Sequence, residues 1–499
     1  MQKIRFLIPA GALLILSGFF ACNDSFEDYS GNPQDCLAFS TDTLAFDTVL
    51  TTVNSPVKAF MVYNPNKRPL LISSIRLAEG ANSNFKINVD GFAGADFKDI
   101  EIRGNDSLFV LVDVKPAETG QATPALFYDY IVFTTHQSVQ QKVVLQAYGQ
   151  DVYKHRELVL DKDTILSDSK PFLIYDSLVV SEGVTAEIRE GITFYMGNNA
   201  QVIVHGTLKI RGTVEKPVTF RGSRTDKMLI YPYDLIPGQW SGIRFDSLSY
   251  GNEFENAHIR NGKYGMSFAA SEPDKEKMKM KNVVLTNASG FLLEAINCNI
   301  SAENCEFSNA KDYLLALGGG RYQFTHCTIA NYYPQVTSEA GWGTGNSQTI
   351  YLTDEVESFD GEPSVHYPVL SFEVSNSIIA GDRPTSGINI NLKDELSEPF
   401  NFLHCVFTNK TPDKTYIRYT GCITEAEADS LFKKADYVNE KHEFWPVYDF
   451  RLSETSPARN AAKLEISEQI PLDIKGINRL EDGLPDAGAY EFVVESEEN

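Results

Sequence analysis

The residues best placed to do chemistry are an arginine and a carboxylate two positions apart. Arg244 and Asp246 alternate with Ile243 and Phe245, so on a strand both project from the face opposite those apolar side chains. Ser267, Tyr351, Asn389 and Asn391 hold outward positions of similar stretches, and Glu294, Asp354, Lys393 and Asp394 stand just past strand ends. A basic residue beside acidic groups that hold Ca²⁺ would suit a lyase, and two carboxylates flanking a bond would suit a glycosidase. Neither set is complete, and an Arg and an Asp on an exposed strand ordinarily form a solvated pair. A second chemistry lies in the long interval from Tyr332 to Tyr367, which carries Tyr332, Tyr333, Trp342, Tyr351, Phe359 and Tyr367 amid Gly341, Gly343 and Gly345. Aromatic rings beside amides and carboxylates suit the faces and hydroxyls of sugars, although the same rings could equally pack a long insertion onto its support. The candidate ligand-binding residues are therefore Arg244, Asp246, Trp342, Tyr351, Asn389 and Asn391, with no catalytic residue, cofactor or metal ligand assigned.

The scaffold for these residues is visible as repetition. One block recurs: an apolar residue, any residue, Asn or His, a small residue, any residue, an apolar residue, any residue, then Asn or Gly. Its third position is Asn256, Asn282, Asn304, His326, Asn376 and His404, at steps of 26, 22, 22, 50 and 28 residues. The step of 50 leaves room for two coils or for one coil with a large insertion. A glycine- or tyrosine-led strand precedes each block, as in Gly242-Ile243-Arg244-Phe245 and Gly265-Met266-Ser267-Phe268. Two or three short strands in about 22 residues is a solenoid period, because one coil cannot bury its apolar face until neighbours stack on it. The recurring Asn is expected to be a corner whose amide bonds the coils above and below. His326 and His404 then belong to a structural ladder and are not catalysts. Cys305, Cys327 and Cys405 share the following small inward column with Ala257, Val283 and Ser377, and are expected to be buried, reduced and inert.

The stretches Gly183–Phe194, Val202–Thr213, Lys216–Phe220 and Gln239–Ile243 resemble the first coils of right-handed parallel β-helix proteins of the pectate-lyase-like superfamily. That resemblance implies a β-helix over 155–420, with Trp240 covering the core at a coil edge. Enzymes of the superfamily work on one long sheet face, and a lyase among them would need Ca²⁺. Residues 421–499 are expected to close the solenoid. They carry a short helix from Thr424 to Ala435 with a Thr424/Glu427 capping box, and a charge network of Asp473, Arg479, Asp486 and Glu491.

Upstream, residues 37–152 alternate in short runs broken by turn residues, a spacing that predicts a two-sheet sandwich of about seven strands. The runs Val62-Tyr63-Asn64-Pro65, Asp106–Val110 and Leu145–Gly149 resemble immunoglobulin-like domains of the ASPM/SPD-2/hydin type, which implies a spacer or interaction module. The fold class is thus all-β: an immunoglobulin-like β-sandwich, then a right-handed parallel β-helix with a small C-terminal cap.

Lys3 and Arg5 precede an apolar run, Phe6 to Ala21, too short for a comfortable permanent span. Leu16–Cys22 resembles a bacterial lipoprotein signal, which implies removal of residues 1–21 and a lipid on Cys22. Residues 22–36 would be an acidic tether resembling the surface-export tags of Bacteroidetes lipoproteins. The expected address is the outer membrane or cell surface, held through the lipid. The net charge of −23 repels phosphate backbones, so nucleic acid is excluded as a partner, while a glycan or a surface protein is compatible. Three readings follow. The chain is a non-catalytic envelope lipoprotein presenting a binding or adhesion surface for glycans, a polysaccharide lyase or glycoside hydrolase, or a structural envelope component.

Overall fold

The computed structural model describes residues 29–494 except 229–230, 334–347, 358–362, 382, 384–385, 394–399, 436, 441–442 and 447. Cys22, Trp342, Phe359 and Asp394 lie outside the described residues. The chain forms two compact units. One ends at Ala117 and resumes over Leu126–Gly149; the other takes Glu118–Ala125 and the chain from Gln150 onward.

The first unit has two five-stranded sheets over one core, with ten strands where the turn spacing suggested about seven. The extra strands include the short pieces Ala38–Phe39 and Phe92–Gly94, which are too brief to show an alternation of their own. Val62, Val110 and Val112 from one sheet meet Ile72, Ile131 and Phe133 from the other. Asn64 is buried, and its amide nitrogen reaches the carbonyls of Arg68, Ile102 and Arg103, which fixes the turn after its strand.

The second unit is a parallel β-helix, with 25 strands among the described residues in one continuous sheet, from Tyr153–Leu160 to Ile417–Thr420. Its strands stack in three ladders. The first, glycine-led ladder runs through Gln201–Val204, Gly242–Phe245, Met266–Phe268, Leu293–Ile296, Tyr313–Gly318, Gln348–Thr353 and Ile388–Asn391. The second includes Thr207–Arg211, Asn299–Glu303, Gly320–Thr325, Val369–Ser375 and Phe400–Leu403. The third includes Val218–Gly222, Glu306–Ala310, Thr328–Asn331 and Ile378–Gly381. Long strands such as Asn252–Arg260 and Met278–Ala288 bend from the second ladder into the third.

The bend is made at the recurring Asn or His. Asn256, Asn282, Asn304, His326, Asn376 and His404 all have φ between 47° and 54°. That left-handed conformation is open mainly to Gly, Asn, Asp and His, so the column selects for backbone geometry as well as for hydrogen bonding. Asn282 Nδ2 donates to Asn256 Oδ1 at 3.2 Å, and Asn376 Nδ2 lies 3.0 Å from His326 Nε2. The second contact makes His326 and Asn376 neighbours, so the 50-residue step is one coil with insertions. Inside, like stacks on like: Phe194 on Phe220 at 4.7 Å and Phe245 on Phe268 at 4.5 Å. Trp240 is 1% exposed and donates its indole N–H to the Arg260 carbonyl, so it belongs to the core itself. Cys305, Cys327 and Cys405 are buried free thiols.

The closing segment lies along the flank of the third ladder. Leu431, Phe432, Phe450, Leu452, Ala487 and Ala489 share a core with Ala330, Tyr332, Ile378, Ala380 and Val406. That cover explains why Glu306–Ala310, Thr328–Asn331 and Ile378–Gly381 are buried at every residue instead of at alternate ones. The helix expected from Thr424 is reduced to Ala428–Leu431, with Glu427 as an N-cap that makes no side-chain bond. Phe432–Lys434 instead pairs antiparallel with Asp449–Leu452, where Phe432 packs edge-on against Phe450 and Tyr332. Burial of that ring overrides the local capping preference.

Candidate functional site

The outward row of the glycine-led ladder reads Arg244, Ser267, Glu294, Ala316, Tyr351, Asn389, each in register with the next. Asn391 stands two residues beyond Asn389 and is exposed like it. Neighbouring strands are about 4.8 Å apart, so the row places Arg244 roughly 10 Å from Glu294 along the axis, and Glu294 the same distance from Tyr351. The structure therefore divides the candidate residues among separate places along this face.

At one place, Asp246 forms an ion pair with Arg244 at 3.1 Å and also pairs with His205 Nδ1. Arg244 is exposed, which leaves this a polar group on an open surface. His205 was not singled out from the sequence. It belongs to the adjacent coil, because Val204 is in register with Phe245, but an insertion sets His205 and Asp246 41 positions apart and hides the pairing. Beneath them Lys277 is wholly buried, and its ammonium donates to the carbonyls of Asp246 and Ser247. Burial pushes this lysine down to about 8.

The other place is concave. Ala316, one small side chain between Glu294 and Tyr351, leaves a cavity of about 470 Å³. Phe291, Tyr313, Tyr351, Glu294, Asp312 and Glu355 line it. Tyr313 and Tyr351 pack with centroids 5.2 Å apart, and Phe291 is stacked on Tyr264 behind at 4.4 Å, so the rings are held in place. Glu294 lies inside the strand Leu293–Ile296 and faces outward, not past its end as the sequence suggested. The glycine before Phe291 made the strand seem to start earlier; here Leu292 and Leu293 are both buried, and alternation begins only at Leu293. Burial pushes the Glu294 carboxyl up. Glu355 is held below its usual range by hydrogen bonds from Ser364 and Lys393, the latter at 2.9 Å, with His366 also near. Asp354 accepts the backbone N–H of Lys393, so both serve to tie adjacent coils at the cavity rim.

The aromatic interval divides as well. Tyr332 and Tyr333 are buried, Tyr332 against Phe432 and Phe450, and both are packing groups. Tyr351 alone among the described rings of that interval lines the cavity. The ladder residues are likewise placed within the architecture. Asn304 and His326 turn to the closing segment, with His326 Nε2 2.9 Å from Ser467 Oγ. Burial, with Arg479 close by, pushes His326 well below its ordinary value, so it stays neutral. Among the described residues no group of three His, Cys, Asp or Glu side chains is arranged to hold a metal ion.

No protein-family model matches the chain, and no curated relative does. Among solved structures, a family 123 glycoside hydrolase from Clostridium perfringens is similar at 10% identity and a TM-score of 0.17, over 23% of this chain and 25% of that one. The chain therefore spans about a quarter of that hydrolase. The PapD-like domain 7 of human CEP192 is similar at 8% identity and a TM-score of 0.17, over 30% of this chain and 98% of that domain. The catalytic domain of a GH87 α-1,3-glucanase is similar at 10% identity and a TM-score of 0.17, over 72% of this chain and 90% of that one. Similarity this low assigns neither substrate nor reaction. The class stands on the strand pairing itself: a β-sandwich unit and a parallel β-helix unit with one ring-walled cavity on its glycine-led face.

Proposed function

We propose that the protein is a bacterial envelope lipoprotein, anchored through Cys22, whose β-helix binds a glycan without turning it over. The observation that carries this reading is the cavity beside Ala316, where three braced rings meet carboxylates on a rigid face. Rings take the apolar faces of sugars and carboxylates accept their hydroxyls, while the solenoid holds both without reorganisation. The test is a panel of polysaccharides offered to the purified protein. Binding that is lost in Tyr313→Ala and Tyr351→Ala, with no new reducing or unsaturated ends, is the expected result. New ends that disappear in Glu294→Gln would replace binding by hydrolysis. That second reading has its own support, since Glu294 and Glu355 line the same cavity, two carboxylates on one face. For the anchor, a Cys22→Ser variant that stays in the membrane fraction would remove the lipid.

A further inference from the structure

The cavity beside Ala316 carries information about which sugar it takes. Among the described residues its walls hold four carboxylates, Glu294, Asp312, Glu355 and Glu357, and not one lysine or arginine. Glu355 has its cation in Lys393. Glu294 and Asp312 have no cationic side chain within ion-pair distance among the described residues. Three rings, Phe291, Tyr313 and Tyr351, stand among these acids, so the site combines negative charge with the electron-rich faces that attract cations. Glu294 is also half-buried, where a carboxylate without a partner is poorly solvated. A uronate or a sulfated sugar would bring a like charge into this enclosure, and a neutral sugar would leave the acids uncompensated. A sugar with a protonated amine would compensate them and lay its ring on the tyrosines.

We infer that the ligand is a glycan bearing free ammonium groups, an unacetylated hexosamine polymer, with the ammonium seated between Glu294 and Asp312 against Tyr313 and Tyr351. This rests on the glycan reading above and narrows it. The net charge of −23 adds attraction at a distance and makes association sensitive to salt. The positioning is local: replacing the amine by an acetamide removes the charge and its ion pairs while leaving the sugar ring unchanged.

Calorimetric titration of the full-length protein with three oligosaccharides of equal length tests this: glucosamine, N-acetylglucosamine and glucose oligomers. The expected order is glucosamine first, by about tenfold or more, the scale of one desolvated cation–ring and ion-pair contact. Glu294→Gln should bring the glucosamine oligomer down to the level of the two neutral oligomers. Oligolysine is the control for charge alone. Should it match the glucosamine oligomer, with Glu294→Gln changing neither, the attraction is diffuse and the inference falls. Equal binding of all three sugars, still dependent on Tyr351, overturns the ammonium preference and keeps the glycan reading. Absence of binding to any sugar overturns both.

Discussion

Arg479 Nη2 donates to Asn304 Oδ1 at 3.1 Å, joining the closing segment to the corner ladder across 175 positions of sequence. The guanidinium is wholly buried and also donates to the carbonyls of Asp486 and Gly488 and to Glu491. Asn304 returns the contact by donating to the Leu472 carbonyl at 2.6 Å. Removing the cation would strand Asp473, Asp486 and Glu491 together. Arg479→Met should therefore cost on the order of 3–5 kcal/mol, the scale for breaking a buried pair by deleting one partner. Asn304→Ala should cost about 2–4 kcal/mol, the lost bonds together with the left-handed strain of an alanine at φ 52°. Urea denaturation would show both, and equal midpoints for Arg479→Met and wild type would remove the segment's anchoring role.

Glu491 gives this network a pH dependence. Burial and the charge of Asp486 push its carboxyl up to about 8. A carboxyl whose folded value is raised binds its proton more tightly in the folded state. Its contribution is present below the ordinary value near 4.3 and is lost as pH rises through about 8. Wild type should lose thermal stability from pH 5 to pH 8.5 relative to Glu491→Gln, which cannot titrate. Parallel melting-temperature curves for the two proteins would show that Glu491 is not the group responsible.

His326 acts with the opposite sign. Its neutral ring is fixed between Ser467 and Asn376, and burial keeps its folded value well below 6.5. Such a group destabilises the fold once pH drops below the unfolded value, because only the unfolded chain can take up the proton freely. Asn occupies the same corner in neighbouring coils, so His326→Asn should preserve the bend and unfold at lower pH than wild type. Acid titration followed by tryptophan fluorescence reads the difference directly.

These residues show why some of the molecule is legible in sequence and some is not. The solenoid is legible because each coil repeats the same solution: one Asn or His bend, one small inward residue, one ring on the next ring. The cavity is not, because it depends on Ala316, an unremarkable residue made important by standing between Glu294 and Tyr351 in the stack. The partnership of Asp246 with His205 is hidden by an insertion that sets them 41 positions apart. The closing segment's Asp473, Arg479, Asp486 and Glu491 could be read as a structural network, but the attachment of Arg479 to Asn304 joins positions too far apart for any local pattern. The short helix from Thr424 misled because a capping motif is a weak preference, and Phe432 gains more as a buried strand residue.

The corner ladder itself yields the sharpest substitution test. Asn282 has φ 54°, so Asn282→Gly should keep the bend and lose only the bond to Asn256, while Asn282→Ala adds about 1–2 kcal/mol of left-handed strain and Asn282→Val more. At the end of the column the rule reverses. Gly421, φ 67°, follows Thr420, the register partner of Leu403, and a Cβ there would come within 2.6 Å of the His404 ring. Gly421→Asn should thus destabilise although Asn is the ladder's commonest residue. Changing His404→Gly in the same protein should recover most of the loss, since it removes the ring while leaving a residue that tolerates φ 51°. Denaturation midpoints of the two single variants and the double variant complete the cycle. Additive losses would show that the His404 ring is not what forbids a side chain at Gly421.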